Sequence, residues 1–126
     1  MRKDLIFGLG VVESMPTTVV AGGGDNGVAV TTGAIGTKHI IHVEALTTTI
    51  TVKLQHSDAS GSGYVDVPVG NMLGGVNLVT VVDTDDNTAV QIGGFDLKPY
   101  QRIVTVAGAG TMHAVAVTAG TLDVGA

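Results

Sequence analysis

The chain has no cysteine and no tryptophan, and only two phenylalanines, two tyrosines and three prolines. Without cysteine there is no disulfide and no thiolate metal site, and a domain of this length folds without either. Hydrophobic content comes largely from valine and alanine, and with aromatics at 3% of the residues core volume has to come from many small β-branched side chains. β-Branched side chains favour strands. Charge is also scarce, at 13% of residues with a formal net charge of −5. Six lysines and arginines in all cannot dominate a surface for nucleic-acid phosphates, so no nucleic-acid partner is expected. No apolar run reaches the ~20 residues of a membrane helix, so no membrane partner is expected either. Arg2 and Lys3 ahead of the apolar run from Leu5 to Val12 are reminiscent of a secretion signal. Asp4 interrupts the basic region, however, and Glu13-Ser14-Met15-Pro16 is no small-x-small cleavage site, so synthesis in the cytoplasm is expected.

What the chain does have is glycine, 19 in 126 residues, much of it clustered between Val/Thr runs. Glycine at that density marks repeated turns and bulges and disfavours long helices. The strongest strand signal brackets Gln55–Val69. Ile50, Val52 and Leu54 alternate with Thr49, Thr51, Lys53 and Gln55 before a polar turn, and Val65, Val67 and Val69 alternate with Tyr64, Asp66 and Pro68 after it. Period two places each set on one face of a hairpin. Further strands are expected over residues 17–21, 28–32, 38–46, 78–82, 88–92, 101–107 and 111–118, the last two as a hairpin around Gly108-Ala109-Gly110. In residues 38–46, Ile41, Val43 and Ala45 are expected to face inward and His42 and Glu44 outward, and a single helical turn is expected near Asn71–Gly75. The expected fold class is therefore all-β, a β-sandwich or jelly roll of about eight strands with little or no helix. Residues 17–126 are assigned to one sandwich domain and residues 1–16 to an N-terminal arm or a first strand.

Residue patterns that carry chemistry are weak. Asp83, Asp85, Asp86 and Asn87 cluster as calcium ligands do, but the Gly and Glu that complete an EF-hand loop are missing, so a solvated turn is expected. His39 and His42 are an odd number of residues apart, which on a strand sends the rings to opposite faces. His56 borders the polar turn and His113 lies in a Val/Ala strand, neither with a cysteine or an ordered acidic partner nearby in sequence. Gly8-Leu9-Gly10 and residues 22–27 do not open a helix that would hold a phosphate, and Gly61-Ser62-Gly63 has its glycines too close to the serine for a nucleophile elbow. No catalytic residue, cofactor or metal is expected, and the chain is not read as an enzyme. A cupin-like enzyme would need clustered His and Glu on inward strand positions. A carbohydrate-binding or adhesin-like module of a virion, the alternative, would need more exposed aromatics than Tyr64 and Tyr100.

The order of segments carries a resemblance. A strand like residues 38–46 is followed by Ile50-Thr-Val-Lys-Leu-Gln-His-Ser-Asp58, a small turn, Tyr64 and Val65-Asp-Val67. Then come Leu97-Lys-Pro-Tyr-Gln-Arg-Ile-Val-Thr-Val106 and a short Val/Ala strand. Over roughly residues 30–118 this resembles the cement, or decoration, proteins of tailed bacteriophages and related minor head proteins. The turn departs from the family's frequent Asp-Asp-Gly with Asp58-Ala-Ser-Gly61, and Lys98-Pro-Tyr-Gln-Arg102 stands where relatives often have Lys-Arg-Tyr-x-Arg. The resemblance implies a subunit, commonly trimeric, on the capsid exterior, with the major capsid protein and copies of itself as partners. Its place would be the virion, after synthesis in the bacterial host cytoplasm. The apolar residues Leu5, Ile6, Phe7, Leu9, Val11 and Val12 are the candidate subunit or capsid contact, with a first strand of the protein's own sandwich as the other reading.

Overall fold

The computed structural model describes residues 9–31, 36–81 and 89–119. Among them seven strands run antiparallel: β1 (Leu9–Ala21), β2 (Val30–Thr31), β3 (Gly36–Ser57), β4 (Val65–Asp66), β5 (Val79–Val81), β6 (Ala89–Gly94) and β7 (Tyr100–Ala119). The protein is all-β. Its helical content among the described residues is one 3-10 turn at Val69–Asn71, and no helix there is long and apolar enough to cross a membrane.

The spine is the pairing of β3 with β7, which runs from Gly36 opposite Ala119 to Ser57 opposite Tyr100. Register shifts between Val43 and Val52 bend this long ribbon at its middle. Its two halves then face each other as layers, with Ile41, Val43, Met112 and Ala114 from one half packed with Ile50, Val52, Leu54 and Ile103 from the other. The segment from β1 to β2 follows β7 around the same bend. β1 pairs with residues 109–119, β2 with Tyr100 and Gln101, and the Val28 amide donates to the Ser14 carbonyl at 2.8 Å where the segment doubles back. β6 extends one layer beside β3, while β4 and β5 extend the other.

The bend explains why two expected breaks do not occur. Residues 38–46 and 49–55 form one strand, as do 101–107 and 111–118, so Gly108-Ala109-Gly110 is not a hairpin turn. Glycine is needed there because the chain crosses the bend against its neighbour. Gly108 has φ +106°, and a Cβ on it would strike the Thr49 carbonyl and come within 2.6 Å of Ile50 Cα. Ile50, Val52 and Leu54 are all buried, as their alternation requires. The second half of the expected hairpin is different: Val67 is buried, but Val65 and Val69 are exposed. Strand β4 ends at Asp66 and the 3-10 turn after Pro68 rotates Val69 outward, so period two does not persist across 65–69. Ala45 is exposed as well, because the register shift at Glu44 interrupts the alternation of Ile41 and Val43.

Asn77 fills the gap on the edge of β3 between β4 and β5. Its side chain accepts from the Leu54 amide at 2.7 Å and donates to the Leu54 and Val67 carbonyls at 2.9 and 3.0 Å, replacing the bonds of an absent strand. Asn77→Ala should therefore cost about 1–3 kcal/mol, since it takes the side-chain partner from the Leu54 amide and the Val67 carbonyl, while the Leu54 carbonyl keeps its bond from the Val67 amide. Leu54→Ala, in the fully buried core, should cost about 2–5 kcal/mol. Urea denaturation followed by circular dichroism reads both, and unchanged midpoints would contradict the packing described.

Candidate functional site

The sequence-predicted contact residues fall into two groups. Leu5, Ile6 and Phe7 lie outside the described residues. Leu9, Val11 and Val12 lie in β1, opposite Ala119, Val117 and Ala116 of β7, and Val11 and Val12 are 66% and 48% exposed. β1 closes one edge of the sheet. It carries no lysine or arginine from Leu9 to Ala21, and its register shifts on either side of Met15, next to Pro16. Proline is tolerated on such an edge because its missing N–H faces no ladder partner.

Val11 leads onto a larger apolar surface. Its register partner Val117 lines a groove of about 440 Å³ together with Gly36, Ile40, Leu73, Gly94 and Phe95, with Lys38 as its one charged side chain. Leu73 and Phe95 are exposed, so apolar surface runs from the β1 edge across the outer face of β7 and β3 to the β6 end. Gly94 is fixed as glycine by its own packing, because a Cβ there would meet the Asn71 carbonyl at 2.7 Å and Leu97 Cδ2 at 3.0 Å. A second groove, on the other layer, is lined by Val67, Pro68, Val69, Val76 and Leu78 beside Lys53 and Asp66.

Between these surfaces the polar side chains are tied to one another. Arg102 lies 4.2 Å over the Tyr64 ring and donates to Gln55 Oε1 at 3.0 and 3.2 Å. Gln55 in turn donates to Asp66, which also meets Lys53 Nζ at 3.0 Å. Those two partners hold the Asp66 carboxyl below its ordinary pKa. The Tyr64 ring is thus stacked by the protein's own guanidinium on one face. The turn Gly61-Ser62-Gly63 is likewise occupied with structure: Ser57 Oγ donates to the Ser62 carbonyl and accepts from the Ala59 amide. The acidic run from Asp83 to Asn87 lies outside the described residues.

The histidines separate as their spacing on a strand requires. His39 is fully buried, and its Nε2 donates to Gln101 Oε1 at 2.9 Å, linking the half of β3 that pairs with residues 112–119 to the opposite end of β7. His56 is buried at the same end, where its Nδ1 accepts from the Lys98 amide and burial, then the Lys98 charge, lower its pKa. His42 lies on the outer face, and strand register sets it directly opposite His113, with ring centroids 5.2 Å apart. One ligand atom each from His42, Glu44 and His113 lies within 4.8 Å of the other two. This cluster is invisible to sequence spacing because His113 belongs to a distant strand, and only the β3–β7 register supplies it.

No protein-family model matches the sequence, and no curated protein matches it either. Among solved structures the chain is similar to the SPBc2 prophage-derived protein YomS, with 12% identity, a TM-score of 0.54 and coverage of 86% of this chain and 90% of that one. A xylan-binding domain of carbohydrate-binding module family 22 has 15% identity, a TM-score of 0.45 and coverage of 88% of each chain. A Bacillus endospore appendage protein that forms disulfide-linked pili has 9% identity and a TM-score of 0.39, covering 90% of this chain and 84% of that one. The likeness to the prophage-derived protein is one of fold.

Burial pushes the His39 ring down from the ordinary 6.5 to about 4, against the opposing pull of its Gln101 bond. The fold holds the ring neutral, whereas unfolding returns it to ordinary titration. Below pH 6.5 the unfolded chain takes up a proton that the folded chain refuses until about pH 4. This contribution to stability is therefore complete above pH 6.5 and lost as the pH falls to about 4, on the order of 3 kcal/mol in all. Urea melts at pH 7, 5.5 and 4 should show the decline, and a His39→Gln variant should show a shallower one.

Proposed function

We propose that this chain is a non-enzymatic structural protein of a phage virion that seats on the outside of the capsid and braces contacts between coat subunits. The observation that carries this reading is the apolar surface running from Val11 through Val117 to Leu73 and Phe95. A contiguous apolar strip of this kind on a surface element marks a contact with another protein. The long apolar edge of β1 adds unpaired backbone groups that a neighbouring chain can cover, so self-association, as a trimer, belongs to the same reading. The phage setting draws on the sequence resemblance to decoration proteins and on the prophage origin of the similar fold. A protein of this type acts through binding free energy alone: by binding the assembled shell and not its separated subunits, it shifts the equilibrium toward the shell.

Added to particles that lack it, the protein should bind saturably, at fixed stoichiometry, and raise the temperature at which the shell breaks. With six lysines and arginines in the chain, affinity should change only modestly between low and moderate salt. Leu73→Asp and Val11→Asp alter exposed positions, so both variants should fold normally and bind particles at least about tenfold more weakly, since each buries an unpaired charge in the contact. Particle sedimentation with the variants measures this. Undiminished binding by both would remove the strip from the contact, and binding to a glycan array in place of capsids would replace the whole reading with a carbohydrate-binding one.

A further inference from the structure

We infer that His42, Glu44 and His113 form a binding site for a divalent transition-metal cation of the zinc class, which ties β3 to β7 on their outer face beside the bend. Two imidazoles and a carboxylate are a donor set that zinc accepts, and three protein ligands leave a fourth position for water. The backbone brings the three together by two separate devices. Register sets His42 opposite His113, and the register shift between Val43 and Ala45 leaves Glu44 as the extra residue of a β-bulge. The bulge turns Glu44 toward the pair, so that its Oε1 stands 3.6 Å from His113 Nδ1.

That Nδ1 is sealed from solvent and has no hydrogen-bond partner among the described residues. A nitrogen in this position costs free energy unless something binds it. With ligand atoms within 4.8 Å of one another, the cluster is somewhat wider than the ~3.3 Å between donors around a tetrahedral ion with bonds of about 2.0–2.1 Å. Side-chain rotation closes the difference, since Glu44 is exposed and His42 is flanked on β6 by the small Ala89. Hard cations such as magnesium prefer all-oxygen octahedral shells and should not be held. The remaining histidines are unsuited to the site, because His39 and His56 are buried and already bonded to Gln101 and Lys98.

The test uses the full chain, stripped with a chelator and titrated with zinc chloride by calorimetry and thermal denaturation. The expected result is one zinc per chain with a Kd in the micromolar range or tighter, and no response to magnesium. Tm should rise by roughly 10 °C at a hundredfold excess over Kd. Zinc should move the ring ¹⁵N signals of His42 and His113 and leave those of His39 and His56 in place. His42→Ala, His113→Ala and Glu44→Gln each change an outer-face residue and should weaken binding at least about tenfold while leaving the metal-free Tm near that of the parent. No saturation below about 1 mM, half a zinc per chain, or unchanged affinity in the His42→Ala/His113→Ala double variant would overturn the assignment. If either alanine variant failed to fold, the ring signals of the parent protein would still decide the question.

Discussion

The unbroken antiparallel pairing of β3 with β7 is the constraint on which the rest of the structure depends. A ribbon this long cannot bury one face while straight, because each strand exposes both sides to water. Bending it at the register shifts between Val43 and Val52 turns one face inward against itself, and one sheet then supplies both layers of the core. Every other strand takes its place from that ribbon. β1 and β2 track the outer side of β7, and β4, β5 and β6 share the outer side of β3. Gly108 is the point of closest approach, where only a residue without Cβ lets the strands cross the bend in register.

This dependence accounts for what the sequence reveals and what it hides. Alternation over Ile50, Val52 and Leu54 is a local signal, and it correctly identifies the buried face of the most central strand. Glycine is read locally too, as a turn, which is correct at Gly63 but not at Gly108, where the residue answers a demand from Thr49 across the sheet; the helical turn expected near Asn71–Gly75 lies earlier, at Val69–Asn71, and Gly74 has the positive φ of +86° that a helix excludes. A strand that bends and one that ends have the same short-range composition. The alternation of Val65, Val67 and Val69 misleads for a related reason: its period two is real in sequence, but the strand ends at Asp66 and the turn after Pro68 rotates Val69 outward. Residues 5–7 of the predicted contact lie outside what the structure describes, whereas Val11 and Val12 sit on an edge strand whose exposure periodicity alone could not assign.

No aromatic side chain fills the core among the described residues, so specificity has to come partly from polar groups in and around it. His39 and Gln101 bond across the layers at the end opposite the bend, Asn77 completes the edge of β3, and Asp25 and Thr105 bond to each other where the segment between β1 and β2 crosses β7. Each of these pairs has geometry that an alternative register would break. An aliphatic core built chiefly of valine, isoleucine and methionine tolerates sliding, because such side chains can repack at similar volume. Buried hydrogen bonds do not, since a one-residue slip would strand both partners without water.

The same ribbon divides the outer surface into regions of different chemistry. Because inward and outward positions alternate along β3 and β7, the outer row reads Lys38, Ile40 and His42 on one strand against Val117, Val115 and His113 on the other. At the open end the row is apolar apart from Lys38 and continues into the groove of Leu73 and Phe95. Toward the bend it becomes the two imidazoles, with Glu44 carried in by the bulge. A cation held at the bend would brace the spine from outside without covering the apolar strip, since the two lie along the strands and not on top of each other. The two regions of the outer face can therefore vary independently in this fold, and a change in one need not disturb the other.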